Sequence, residues 1–130
     1  MSSILVAEDN PLNFELARDV LQRDGHTIHW ARDGVEAIDR LRSLYVDLVL
    51  LDLHLPTIDG MQVLYTIRAD PALRGMRVLV VSADAMPGVR EWVLREGADA
   101  FLAKPFKVKE LVSEVGHLLS RSTEYISPSA

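Results

Sequence analysis

The chain has 130 residues, 48% hydrophobic and 25% charged, which suits one compact domain and leaves no room for a second of ordinary size. Its 14 basic against 19 acidic side chains give a formal charge of −5, so the electrostatic footprint for a phosphate backbone or an anionic lipid surface is missing. With no cysteine, disulfides, thiolate metal sites, iron–sulfur clusters and a cysteine nucleophile are all excluded, and any metal is held by oxygen or histidine. No apolar run exceeds four residues and no basic region precedes an apolar stretch at the N-terminus, so a soluble, cytoplasmic protein without direct DNA binding or membrane insertion is expected.

The first apolar run, Ile4-Leu5-Val6-Ala7, is continuous rather than alternating, as in a strand buried on both faces. Asn10-Pro11 then supplies a capping side chain and a proline for a helix with Phe14, Ala17 and Leu21 at helical spacing, and Gly25 follows it. Thr27-Ile28-His29-Trp30-Ala31 alternates more and reads as an edge strand. Asp33-Gly34 opens a helix carrying Ala37, Ile38 and Leu41, after which Leu48-Val49-Leu50-Leu51 repeats the buried-strand pattern. Asp59-Gly60 begins a weaker amphipathic stretch to about Arg68, and Val78-Leu79-Val80-Val81 is the next buried strand. A second weak stretch covers about Met86 to Glu96, with Pro87-Gly88 near its start and Gly97 past its end. Ala100-Phe101-Leu102-Ala103 is the last strand, and Val108, Leu111, Val112, Val115 and Leu119 stripe the last helix. Such stripes are what core packing requires and need no cofactor to explain them.

The order is therefore (βα)₅, an α/β fold with a parallel five-stranded sheet, right-handed crossovers and helices on both faces. From Ser120 the amphipathic period stops, so the domain is placed at residues 1–120 and residues 121–130 are expected to be a frayed tail.

Polar residues recur at one kind of place, the C-terminal end of a strand: Glu8 and Asp9, Asp52, Ser82 and Lys104. In a parallel α/β sheet these ends share one edge, where ligands bind at the point of strand-order reversal. Three carboxylates gathered there repel one another unless cations compensate, and a divalent ion together with Lys104 does so. Oxygen-only ligands favour a hard ion such as magnesium, which uses one or two carboxylates plus a phosphate oxygen, so the edge suits phosphoryl chemistry. Each residue alone has a plainer reading: Glu8-Asp9 as a helix N-terminus, Asp52 as a loop cap, Ser82 as a cap of the next helix, Lys104 as a solvated lysine.

The ordered set resembles the response-regulator receiver domain of bacterial two-component signalling, similar to the chemotaxis receiver, over roughly Ile4 to Leu119. It consists of Glu8-Asp9, Asp52 followed by Leu53-His54-Leu55-Pro56-Thr57-Ile58-Asp59-Gly60, Ser82-Ala83, and Lys104-Pro105-Phe106. The resemblance implies a flavodoxin-like strand order 2-1-3-4-5 with Asp52 as phosphoacceptor. It implies Mg²⁺ held by Asp9, Asp52 and the backbone carbonyl of His54, with Glu8 acting mostly through a bound water. It further implies that Lys104, the Ser82 hydroxyl and the Ala83 N–H take phosphoryl oxygens, and that Lys104-Pro105 is cis, turning the lysine inward.

For switching, the resemblance implies that Ser82 moves toward the phosphoryl group and Phe101 turns inward. Having no hydroxyl, Phe101 can only fill the space the serine vacates; a static core residue is the alternative. The readout face would run from the fourth helix through the fifth strand to the fifth helix, roughly Met86 to Leu119. His54 and Asp84, each two residues beyond a site residue, are placed to shield or orient an attacking water and so to set acyl-phosphate lifetime. The implied partners are a histidine kinase or histidine phosphotransfer protein and a downstream protein effector, with the chain a monomer or weak dimer. A stand-alone receiver, a phosphorelay shuttle and a hybrid-kinase segment all fit, the first being favoured by Met1 and the short polar tail. A magnesium-dependent phosphatase with Asp52 as nucleophile is the reading from another class; it wants an acid two residues later, where His54 stands, and a substrate cap. Nucleotide binding is weaker still, since the seven glycines form no Gly-x-Gly-x-x-Gly or Walker-type run.

Overall fold

Strands form where the apolar runs are continuous, and helices form where the period lengthens. The computed structural model describes residues 2–84 and 86–126, with side chains described as far as Ser120. The elements alternate as β1 (Ser3–Ala7), α1 (Pro11–Arg23), β2 (Thr27–Ala31), α2 (Gly34–Ser43), β3 (Leu48–Asp52), α3 (Gly60–Ala69), β4 (Arg77–Ser82), α4 (Val89–Arg95), β5 (Ala100–Ala103) and α5 (Val108–Ile126). The strands pair in parallel in the order β2-β1-β3-β4-β5, the doubly wound arrangement expected, with β2 on the edge.

Alternate strand residues feed two cores. Ile4, Val6, Leu48, Leu50, Leu79, Val81 and Leu102 pack against Phe14, Leu21, Leu111 and Val115 of α1 and α5. Leu5, Val49, Leu51, Val78, Val80 and Phe101 face Ile38, Leu41, Leu64, Ile67 and Val93 of α2, α3 and α4. Because both faces of β1, β3 and β4 are covered, their sequences read as unbroken apolar runs.

Caps fix the loops that matter for the site. Asn10 Oδ1 accepts from the N–H groups of Leu12 and Asn13 at 2.9 and 3.2 Å, and Pro11 follows as the first helical residue. Asp33 and Asp59 cap α2 and α3 in the same way. α4 begins at Val89, later than the Met86 expected from its pattern, because Gly88 sits at φ 90°, outside the helical region. At the other end, α5 stays helical through Ile126, past the start of the expected frayed tail. No glycine or proline interrupts residues 120–126, and loss of an apolar stripe does not itself stop a helix. The rest of that tail, residues 127–130, lies outside the described residues.

Candidate functional site

Of the parallel strands that end at this edge of the sheet, β1, β3, β4 and β5 each deliver a polar residue at the end of an apolar stretch. Carboxylate oxygens of Glu8, Asp9 and Asp52 all lie within 4.8 Å of one another. Glu8 and Asp52 are buried, whereas Asp9 is open to solvent. Lys104 reaches between the two buried acids, with Nζ 2.6 Å from Glu8 Oε1 and 3.1 Å from Asp52 Oδ2. The Lys104-Pro105 bond that follows is cis, as expected.

At the N-terminus of α1 the capping side chain is Asn10, and Glu8 Oε2 accepts from the Asn10 N–H at 3.1 Å. Asp52 Oδ1 accepts from the His54 N–H at 3.0 Å, which draws the His54 main chain beside the acid while its side chain stays exposed. Gly60 makes this turn possible, because a Cβ there would run into the Asp52 carbonyl and the Leu53 Cα.

Charge balance at the edge is incomplete. Three carboxylates and one ammonium, if all ionised, leave two negative charges, the amount one divalent cation neutralises. Burial holds the Glu8 carboxyl above its ordinary value even though hydrogen bonds from Lys104 and Asn10 and the lysine's charge pull it down. For Lys104, burial is the largest influence and acts downward. The hydrogen bond to Glu8 and the charge of Asp52, with smaller contributions of the same kinds, outweigh it and hold the ammonium above its ordinary value. The donor set, hard oxygens with an open side at Asp9, fits a magnesium ion that keeps several waters.

Ser82 is fully buried, and its Oγ accepts from the Asp84 N–H at 3.0 Å. It therefore ties the β4–α4 loop rather than capping α4, which starts after Gly88. Ala83 is exposed and lines a cleft of about 290 Å³ together with Glu8, Asp52, Lys104, Leu16, Ala17 and Phe106. Asp84 is half-buried, its Oδ1 accepting from the Met86 N–H at 3.2 Å. Phe101 lies inward, 7% exposed, in the core that also holds Val93 of α4.

One contact had no sequence signal. Trp30, read only as an edge-strand residue, donates its indole N–H to the Glu8 carbonyl at 2.7 Å.

Comparison with known proteins agrees with this geometry. A family model described as the response regulator receiver domain matches residues 4–116. The polar-differentiation response regulator DivK of Brucella abortus is 34% identical over 113 residues, 87% of this chain and 92% of that protein. The receiver domain of sensor histidine kinase PA1611 from Pseudomonas aeruginosa PAO1, solved with a magnesium ion coordinated in its active site cleft, is 32% identical with a TM-score of 0.84, covering 92% of this chain and 98% of that one. The signal receiver domain of a histidine kinase from Syntrophus aciditrophicus is also 32% identical, with a TM-score of 0.85 and coverage of 92% and 91%. None of this favours the phosphatase alternative. With a sheet of this order and an acid-rich edge served by one lysine, the chain belongs to the response regulator receiver domain family, the phosphoacceptors of two-component signalling.

Proposed function

We propose that Asp52 is the phosphoacceptor, that Mg²⁺ binds beside it, and that the donor is a phosphohistidine of a histidine kinase or phosphotransfer protein. The observation that carries this reading is Asp52 itself: a nearly buried carboxylate at the end of β3, oriented by the His54 N–H on one oxygen and Lys104 on the other. Glu8, Asp9 and Asp52 offer the cation its oxygens, with the His54 backbone carbonyl as a further candidate. When bound, the cation supplies positive charge against which two anions, carboxylate and phosphoryl group, can approach.

In the transfer, an Asp52 oxygen attacks phosphorus, the bond to the donor imidazole breaks, and an acyl phosphate forms as the imidazole leaves and takes up a proton. Lys104, the Ser82 hydroxyl and the Ala83 N–H are the groups assigned to the peripheral phosphoryl oxygens, where charge accumulates. Protein partners are supported by apolar side chains left in water near the cleft, Leu12 at 75% and Leu16 at 55% exposed on α1. The output face is assigned to α4, β5 and α5, where Trp92 is exposed, as is Met86 in the loop before α4. The domain core is taken as residues 1–120, acting in the cytoplasm through a downstream protein.

Incubation with acetyl phosphate and Mg²⁺, followed by intact-mass measurement, tests the reading. One phosphoryl group per chain is expected, absent from Asp52→Asn and absent in EDTA. Retention of the added mass in Asp52→Asn would overturn the assignment, and rapid turnover of small phosphoesters would favour a hydrolase.

A further inference from the structure

The acidic edge has a support on the β2 side that phosphoryl transfer does not itself require. Both main-chain groups of Glu8 are held by β2: its N–H donates to the Ala31 carbonyl at 3.0 Å, and its carbonyl accepts from Trp30 Nε1 at 2.7 Å. The indole is itself held in place. It stacks on Phe14 of α1, ring centroids 4.3 Å apart and planes 5° from parallel, and the Arg32 guanidinium lies over it at 4.5 Å. A half-buried tryptophan on an edge strand could give its N–H to water, yet this one spends it on the residue directly after the neighbouring β1.

The consequence falls on Asp9. The Glu8 carbonyl belongs to the peptide group that leads into Asp9, so a bond to that oxygen sets the plane from which the Asp9 side chain departs. Among the described residues no hydrogen bond or ion pair restrains the Asp9 carboxylate, while Glu8 and Asp52 have their own partners. Asp9 is thus the one member of the acidic set whose position depends on its backbone. We infer that Trp30 is a positioning residue for the cation site: through its indole N–H and the Glu8 carbonyl it fixes the Asp9 peptide and raises affinity for a divalent cation. Coupling of this kind is reciprocal, so the cation in turn restrains the indole. The inference rests on the cation-binding reading above.

Two replacements separate the N–H from the ring. 3-Benzothienylalanine at position 30 keeps shape and stack and lacks the donor; Trp30→Phe keeps a smaller stack and also lacks it. Calorimetric titration of the intact, unphosphorylated chain with Mg²⁺ is expected to give affinity about three- to tenfold weaker for both, the range that loss of one hydrogen bond produces. A purely structural role would lower the unfolding midpoint and leave the affinity of the folded protein unchanged. In a Trp92→Phe background, Trp30 is the only tryptophan left of two, and its emission is expected to change saturably with Mg²⁺ at the calorimetric midpoint. Parent-like affinity in the benzothienyl protein, or flat Trp30 emission while heat is released, overturns the positioning role. A parent that binds no Mg²⁺ refutes the cation reading itself, so the two failures are distinct.

Discussion

Replacing Lys104 with methionine removes the ammonium while keeping most of the stem. In the parent, Nζ is 2.6 Å from Glu8 and 3.1 Å from Asp52, and the three side chains are 19%, 7% and 11% exposed. Exposed ion pairs are worth about 0–1 kcal/mol, whereas stripping one partner from a buried pair costs about 3–5 kcal/mol. A lysine one-fifth open to water falls between, so the metal-free variant is expected to lose about 2 kcal/mol near neutral pH, or about 8 °C in Tm for a domain of this size. The pH dependence has a definite sign. Glu8 in the fold is held above its ordinary 4.5, chiefly by burial, so the folded state binds more protons than the unfolded chain and stability falls as pH rises from 4.5 through the raised value. Lys104 opposes that rise, and without it the window extends to higher pH. The variant's deficit is therefore largest at neutral pH and shrinks as pH falls to 4.5, through the raised value at which Glu8 takes up its proton. With no ammonium to repel it, Mg²⁺ is expected to stabilise the variant more than the parent. Urea unfolding in EDTA and in Mg²⁺ at both pH values measures all of this. Equal stability of the two proteins in EDTA at neutral pH, or an equal gain from Mg²⁺, would refute the reasoning.

His54→Ala and Asp84→Ala are each expected to change the half-life of the phosphorylated state with little effect on unfolding, and unchanged half-lives in both would remove the lifetime role. Tyr65 donates its phenol to Glu96 Oε1 at 2.9 Å, and chiefly through that bond its pKa is held above 10.0. The bond between α3 and the C-cap of α4 is thus intact below pH 10.0 and is lost as pH rises through the raised value; Glu96→Gln is expected to lower that titration, followed by NMR of labelled tyrosine. Gly60→Ala is expected to cost about 2–3 kcal/mol in urea unfolding and to slow phosphorylation, since the new methyl displaces the Asp52 and Leu53 main chain.

What was legible followed from period and position. Strands buried on both faces write themselves as unbroken apolar runs, and the residue after each run lands at the same edge, so Glu8, Asp52, Ser82 and Lys104 could be grouped before any coordinates. What was hidden depends on how elements pack across the sheet. The Trp30–Phe14 stack needs α1 to lie over β2, and an edge-strand tryptophan carries no mark of where its N–H points. Arg68 gathers the carbonyls of Gly97 and Met76 and the carboxylate of Asp99, up to 31 residues away, from a helix whose pattern reads as ordinary. Phe101 was recognisable as an aromatic on β5, but its inward placement is a property of the α4 face rather than of its neighbours in sequence.

The same packing bears on how a charge added at Asp52 reaches α4. Ser82 Oγ accepts from the Asp84 N–H, and a hydroxyl that accepts still has a proton to donate. Movement of Ser82 toward a phosphoryl oxygen can therefore keep its bond to Asp84, drawing the start of the β4–α4 loop with it. The Lys104 N–H is bonded to the Ser82 carbonyl at 2.8 Å, so the two groups assigned to the phosphoryl oxygens are also joined through their main chains. On the far side, Arg90 of α4 donates to the Phe101 carbonyl at 3.2 Å, which links that helix to β5. Lacking a hydroxyl, Phe101 has no polar bond of its own to add, so in the proposed switch the polar part falls to the serine and its loop and the aromatic would respond only through volume.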